Sequence, residues 1–153
     1  NGGTDWTLLS GSPTNLTDCC DTLIVDPTNS DRLFMTSRDG VYRSTDRGAN
    51  WTLVLEHAPW AERMWFVAKV YAGKLWVLGG FSNRKSVNFA EAWHTEDGRT
   101  WQEHKSAPMF SPRHEVTPYV FDGSLWVAGG NMWPLMNDVW RLTLPKNKEG
   151  SKQ

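Results

Sequence analysis

The chain has 153 residues, of which 39% are hydrophobic and 22% charged, and its formal net charge is -1. This length suits one domain, and this composition allows a packed core and argues against global disorder. The near-neutral charge and the lack of a basic block exclude the usual signature of a nucleic-acid-binding protein, and no apolar run reaches the roughly 20 residues of a membrane span.

Three of the ten tryptophans mark equivalent points of a repeat along the chain. Trp6, Trp51 and Trp101 each follow a glycine by three positions. Segments 73–80 and 123–130 are also alike, lie 50 residues apart and both end in Gly-Gly. Recurrence at such a period is the sequence signature of a repeat architecture.

The β-prone runs between turn signals predict strands that fall into groups of four. Asp-Gly pairs such as Asp122-Gly123 lie between two such runs and favour tight hairpins, because the turn needs positive φ. A single strand is expected at 5–9, and a short buried strand at 22–25. Complete groups are expected at about 22–56 and 66–104, and a group without its fourth strand at about 116–144, with a long loop at 81–89 and a polar tail at 146–153.

Residue types that bind metals or form disulfides give little signal. Cys19 and Cys20 are neighbours, and because a disulfide between neighbours is strained, two thiols are the favoured interpretation. None of the four histidines has metal-ligand spacing and no cofactor fingerprint appears, so neither a metal nor a cofactor is predicted. Asn15 and Asn50 begin glycosylation acceptor triplets, which matter only in a eukaryotic secretory pathway.

One turn has a specific chemical pattern, Ser44-x-Asp46-x-Gly48-x-x-Trp51. A carboxylate at this place accepts backbone N–H bonds in a tight loop, the glycine supplies positive φ and the tryptophan packs beneath the loop. The pattern resembles the Asp box of bacterial neuraminidase (BNR) repeats. That resemblance implies a structural turn, remote from catalysis, and no catalytic role for Asp46.

A second copy of this pattern departs from the first. Asp97, Gly98 and Trp101 form its structural turn, but His94 and Glu96 stand where the box has serine and aspartate. The pattern therefore defines the chemistry of this turn less well than that of the first.

The two repeated segments 73–80 and 123–130 resemble kelch repeats, in which a double glycine ends the second strand and a later aromatic residue, here Trp93 or Trp140, packs between blades. Through segments 25–29 and 40–48, the first group also resembles xyloglucanase-type propellers. Together these resemblances cover nearly the whole chain and imply an all-β fold, a β-propeller of four-stranded antiparallel blades, with about three blades in residues 1–145. Most tryptophans are then core wedges.

Three blades are fewer than the usual about 4 to 8, so the ring is expected to be closed by a second copy or by another chain. The strand at 5–9 carries the fourth-strand signature that the last group lacks. A homodimer would therefore close a six-blade ring, with each 5–9 strand beside residues 138–142 of the partner. A piece of a longer propeller is the alternative.

The predicted binding surface is the mouth of the central channel. Arg63 and Arg113 lie 50 residues apart at matching repeat positions, which favours a repeat role such as capping strand ends. Their loops lead into the innermost strands, so both are also expected near one mouth. Trp60, Arg63, Arg113 and His114 are the binding residues that follow.

The favoured function is a non-enzymatic binding or assembly module, which presents loops to a protein or glycan partner and self-associates through blade edges. A glycan-active enzyme of sialidase or xyloglucanase type is an alternative, although an arginine triad, its Arg-Ile-Pro motif and a clear carboxylate pair are absent. A subunit of a surface lattice or filament is a second alternative. The resemblance implies an exported or cell-surface location, and no catalytic residue is predicted.

Overall fold

A computed structural model of the chain describes residues 22–37 and 40–144. Within these ranges the protein is all-β and its sheets are antiparallel, two of them four-stranded, which confirms that part of the prediction. In the same ranges no helix has the length and apolar character needed to cross a membrane. The strand expected at 5–9, the cysteine pair and the tail at 146–153 lie outside the described residues.

The strands follow one another in the order of the sheets. The first sheet has the order β1 (Thr22–Asp26), β2 (Asn29–Ser37), β3 (Gly40–Ser44), β4 (Thr52–Leu55). Next come β5 (Val67–Tyr71), β6 (Lys74–Leu78), the hairpin strands β7 (Phe81–Ser82) and β8 (Val87–Asn88), then β9 (Ala92–Thr95) and β10 (Gln102–His104). The second sheet has the order β5-β6-β9-β10, and the third consists of β11 (Thr117–Phe121), β12 (Ser124–Ala128) and β13 (Val139–Leu142).

The hairpin β7–β8 occupies the segment that was predicted to be a loop. Phe81 pairs with Asn88 and Ser82 with Val87, and a separate bridge joins Phe81 to Met64. Two-residue strands show too little alternation to stand out in a sequence. The hairpin brings Phe81 and Asn88 close to the start of the second sheet.

The three sheets pack face to face in chain order. β1 contacts β5 and β5 contacts β11, so the first strands of successive sheets are neighbours. One buried cluster lies between the first and second sheets, and it contains Phe34, Val41, Phe66, Ala68, Val70, Leu75 and Val77. A second lies between the second and third sheets, and it contains Tyr71, Trp76, Leu78, Ala92, Phe110, Val116, Leu125 and Val127.

The strand β1 is exposed on one side, and the expectation of a buried strand is wrong for that side. Ile24 packs against the core, whereas Leu23 is 58% and Val25 52% exposed. Successive side chains of a strand point to opposite faces. Leu23 and Val25 therefore lie on the face of the first sheet that points away from the second sheet.

The third sheet also has an uncovered apolar face. In the second sheet, Trp76 stands between its cross-strand partners Lys69 and His94 and is 0% exposed. Trp126 has the same place in the third sheet, between Tyr119 and Arg141. Because no described strand lies over that face, Trp126 is only half-buried and Tyr119 is 39% exposed.

Candidate functional site

The first Asp-containing turn is held by hydrogen bonds within its own loop. The amide of Gly48 donates to Ser44 Oγ at 2.8 Å, and that of Asn50 donates to Asp46 Oδ1 at 2.8 Å. The indole Nε1 of Trp51 donates to Gly48 O at 3.1 Å. The hydrogen bond from Asn50 lowers the pKa of Asp46. The polar atoms of this turn thus hold the loop itself.

The second turn repeats this arrangement with different residues. The amide of Gly98 donates to Thr95 Oγ1 at 3.0 Å, and that of Thr100 donates to Asp97 Oδ1 at 2.8 Å. Trp101 Nε1 donates to Gly98 O at 3.1 Å. The chemistry of the first turn is therefore retained.

The assignment of His94 and Glu96 to the serine and aspartate places of the box is wrong by one position. The hydroxyl and the carboxylate come from Thr95 and Asp97, because the loop is one residue shorter between its carboxylate and its glycine than the first. Backbone amides, above all that of Thr100, lower the pKa of Asp97 to about 2.

The side chain of Arg63 is buried and bound on three sides by protein groups. Its Nε donates to Ala61 O at 3.0 Å, its Nη1 to Gly79 O at 3.0 Å and its Nη2 to Glu91 Oε2 at 2.6 Å. Trp93 Nε1 donates to the same carboxylate oxygen at 3.0 Å. The guanidinium thus ties the carbonyl that follows β6 to the start of β9.

Arg113 repeats this arrangement in the third sheet. Its Nε donates to Ser111 O and its Nη1 to Gly129 O, both at 3.0 Å. Its Nη2 donates to Asp138 Oδ2 at 2.9 Å, Nη1 contacts the other carboxylate oxygen, and Trp140 Nε1 donates to Oδ2 at 2.7 Å. The bond from Arg113 is the main reason that the pKa of Asp138 falls to about 2.

The second glycine of each Gly-Gly pair makes room for these arginines. A Cβ on Gly80 would lie 2.9 Å from Arg63 Cδ, and a Cβ on Gly130 would lie 2.9 Å from Arg113 Cδ. The side chains of Arg63 and Arg113 are 1% and 0% exposed. Their carboxylate partners, Glu91 and Asp138, are 31% and 35% exposed. The two guanidinium groups are directed at protein groups and away from solvent.

Trp60 packs against two other tryptophans. Its ring is 4.7 Å from that of Trp101, edge to face, and 5.7 Å from that of Trp93. It packs against the cluster between the first and second sheets. Trp60 thus belongs to the packing between these sheets, and a shared binding surface of the four residues stays a prediction.

His114 packs against two aromatic side chains that the sequence analysis did not single out. Trp65 is 45% exposed, and its ring centroid is 5.8 Å from that of Phe81 and 5.1 Å from that of His114, with interplanar angles of 17° and 29°. Phe81 and His114 are themselves 5.4 Å apart. The three centroids form a nearly equilateral triangle, which places Phe81 and His114 on the same side of Trp65. We refer to Trp65, Phe81 and His114 as the Trp65 platform.

Polar groups border the Trp65 platform. His114 Nδ1 lies 2.6 Å from Asn88 Oδ1, which fixes the imidazole plane. Its Nε2 lies 3.8 Å from Glu115 Oε2, and Asn131 Nδ2 donates to the same oxygen at 3.4 Å. The Glu115 side chain is 56% exposed. In the described residues no group of three or more His, Cys, Asp or Glu side chains is placed to hold a metal ion.

Trp65 and Glu115 have an unusual backbone conformation. Their φ angles are 55° and 52°, and each lies two residues after a repeat arginine. Non-glycine residues in this left-handed region are strained, and such residues are enriched at functional sites. The amide of Glu115 donates to Trp65 O at 2.9 Å and so links the two strained positions. The spacing Arg-x-Trp and Arg-x-Glu at repeat positions is the signal that points to both.

Comparison with known proteins shows the fold and no family. No family model and no curated protein matches the chain. One of the solved structures that match is described as "Structure of YjhT", with a TM-score of 0.60 and 20% identity over 80% of this chain and 36% of that chain. At this identity the likeness shows the fold alone, and our chain spans about a third of the length of that protein.

Proposed function

We propose that the chain is a non-enzymatic binding and assembly module, whose three sheets are blades of a β-propeller that a second copy completes. Loops at the ends of the sheets then present a binding surface to a partner outside the cell or at its surface. The observation that carries this proposal is the uncovered face of the third sheet.

That face repeats the covered face of the second sheet. Trp126 stands where Trp76 stands, and Phe121 stands where Tyr71 stands, 50 residues earlier in each case. Phe121 is 68% exposed, whereas Tyr71 is 6% exposed. Contiguous apolar surface of this kind marks an interaction site. A following sheet of the same type is the partner that such a face fits.

The first sheet offers a suitable surface for that contact. Leu23, Met35, Tyr42 and Leu53 form one cross-strand row on the face that points away from the second sheet. Leu23 is 58% and Leu53 42% exposed at the ends of this row, whereas Met35 is 8% exposed. In a two-fold assembly this face of each copy would cover the third sheet of the other, and the strand predicted at 5–9 would pair beside β13.

The test is the mass in solution by light scattering at several concentrations. We expect twice 17.4 kDa for the wild type. The substitution Val139→Lys places a charge on the third sheet's open face, where Val139 is 57% exposed, and should reduce the mass to that of one copy. Val87→Lys is the matched control, since Val87 is 42% exposed but lies in β8, and it should keep the larger mass.

Other outcomes separate the alternatives. A wild-type mass of one copy at all concentrations contradicts self-association. A ladder of larger species supports the lattice or filament and contradicts a closed ring of two copies. Deletion of residues 1–10 should also abolish the two-copy species, and a folded deletion variant that remains at twice the mass would contradict the proposed strand pairing.

A further inference from the structure

We propose that the Trp65 platform, with Glu115 and Asn131 at its border, is a binding site for a neutral sugar. One pyranose ring of a neutral oligosaccharide stacks on the open face of Trp65, and hydroxyl groups donate to the Glu115 carboxylate. This inference rests on the proposed binding role but not on the proposed assembly, because every residue of the site belongs to one chain.

We infer that the indole face opposite Phe81 and His114 is the main contact. Phe81 and His114 cover one side of Trp65, and 45% of the residue remains exposed. The face of an aromatic ring carries negative charge density, which attracts the C–H groups along the flat side of a pyranose. Solvent-exposed tryptophan also contributes apolar area that is poorly hydrated. The platform thus matches a ligand that has one flat apolar side and a polar edge.

The polar groups beside the platform favour a neutral ligand over an acidic one. An ionised carboxylate such as Glu115 only accepts hydrogen bonds, and sugar hydroxyls are donors. The amide of Asn131, 3.4 Å from Glu115 Oε2, adds both a donor and an acceptor. An acidic sugar would be repelled by Glu115, while the two repeat arginines are engaged with Glu91 and Asp138 and offer it no free guanidinium.

A cationic ligand fits the site less well than a sugar. Quaternary ammonium groups are bound in cages of several aromatic faces. In the Trp65 platform the rings cover one another, and the indole alone presents an open face. A flat ligand uses this single face fully, whereas a spherical cation does not.

The platform is held rigidly before any ligand binds. Trp65 is fixed by its strained backbone, by two stacked rings and by the hydrogen bond from Glu115 N to its carbonyl. Asn88 fixes His114 in turn, through the 2.6 Å contact to Nδ1. Such pre-organisation reduces the entropy lost on binding, which matters for weakly bound ligands such as sugars.

The experiment is saturation-transfer NMR followed by calorimetric titration of the full chain. The probes are cellobiose, maltose and lactose as neutral sugars, glucuronic acid as the acidic sugar, and choline as the cation. We expect at least one neutral disaccharide to bind saturably, with weaker or no binding of the other two probes. Trp65→Ala should weaken that binding at least about tenfold, and Glu115→Gln should weaken it less.

Two further variants test whether the effect is local. Trp65→Phe keeps an aromatic face and should retain part of the affinity. Trp133→Ala removes a tryptophan that is 88% exposed on another loop and should leave the affinity unchanged. All variants are checked for folding by circular dichroism and for mass by light scattering.

Three results would overturn the inference. These are the absence of saturable binding for all three neutral sugars, an unchanged affinity in folded Trp65→Ala, or tighter binding of glucuronic acid or choline. A chain that keeps twice the single-copy mass but binds no neutral sugar would overturn the sugar site while leaving the assembly intact. A chain that binds a neutral sugar but has the mass of a single copy would leave the sugar site intact and overturn the assembly.

Discussion

Gly79 and Gly129 have nearly the same backbone conformation but different surroundings. Their φ angles are 63° and 59°. A Cβ on Gly79 would lie 2.5 Å from the carbonyl oxygen of Arg113 in the next sheet, whereas a Cβ on Gly129 would come no closer than 3.5 Å, to Met136 O. Substitutions at these two positions therefore distinguish the free-energy cost of a left-handed backbone from the cost of steric crowding.

Alanine at these two positions should destabilise the single-copy protein unequally. Gly129→Ala has only the left-handed conformation to accommodate, at a cost of about 1 kcal/mol. Gly79→Ala must also displace the backbone of Arg113, which adds about 1–3 kcal/mol. Urea denaturation of both variants in the Val139→Lys background measures the difference in the free energy of unfolding. Equal losses would mean that the close approach of the sheets at Gly79 relaxes without cost.

At the scale of an element, the two Asp-containing turns give the sheets a defined acid sensitivity. The pKa of Asp97 is lowered from 3.8 to about 2 in the folded chain. Between these two values the unfolded chain binds the proton and the folded chain does not, so the turn's contribution to stability is present above pH 4 and is lost as the pH falls toward 2.

Removal of the Asp97 carboxylate should therefore make the stability of the protein depend less on pH in the acid range. We expect Asp97→Asn to lower the midpoint of thermal unfolding at pH 7 and to show a smaller further decrease than the wild type between pH 4 and pH 2. Glu96→Gln is the control, since Glu96 faces solvent and only reaches Lys74 at 3.5 Å. Wild-type and Asp97→Asn curves that run parallel below pH 4 would contradict the assigned role.

The elements differ in how far the sequence alone predicts them. Strands such as β6 and β12 are evident because apolar runs are bounded by turn residues and recur at a fixed spacing. The turn at Thr95 was misassigned by one position. The length of the loop decides which hydroxyl accepts the hydrogen bond from the Gly98 amide, and the sequence pattern does not specify that length. The strands β7 and β8 are set by pairing between residues seven and five apart, and two-residue strands carry no periodicity of their own.

The candidate site was less predictable than the strands. Matching repeat positions correctly drew attention to Arg63 and Arg113, but their burial depends on the space left by Gly80 and Gly130, which appears only when the sheets are assembled. The Trp65 platform joins a residue before β5, one in the hairpin and one before β11. Such a surface is a property of neighbouring sheets, and no local pattern specifies it.

At the scale of the whole molecule, the second sheet packs against another described sheet on both faces, and the first and third sheets do so on one. Amide exchange in a single copy should therefore be slowest in the second sheet, because the opening of an outer sheet breaks one face-to-face contact and that of the middle sheet breaks two. Hydrogen exchange of Val139→Lys measured by mass spectrometry should show β6 more protected than β12. In the wild type, a second copy should raise the protection of β12 toward that of β6.

The contacts from β1 to β5 and from β5 to β11 join only neighbouring sheets. The contacts of one sheet with its neighbours therefore do not determine how many further sheets follow. In a closed ring, the rotation between one sheet and the next would alone decide how many sheets complete the circle. A substitution in the layer between two sheets that alters this rotation would then change the number of subunits in the assembly, even where each sheet remains as stable as before.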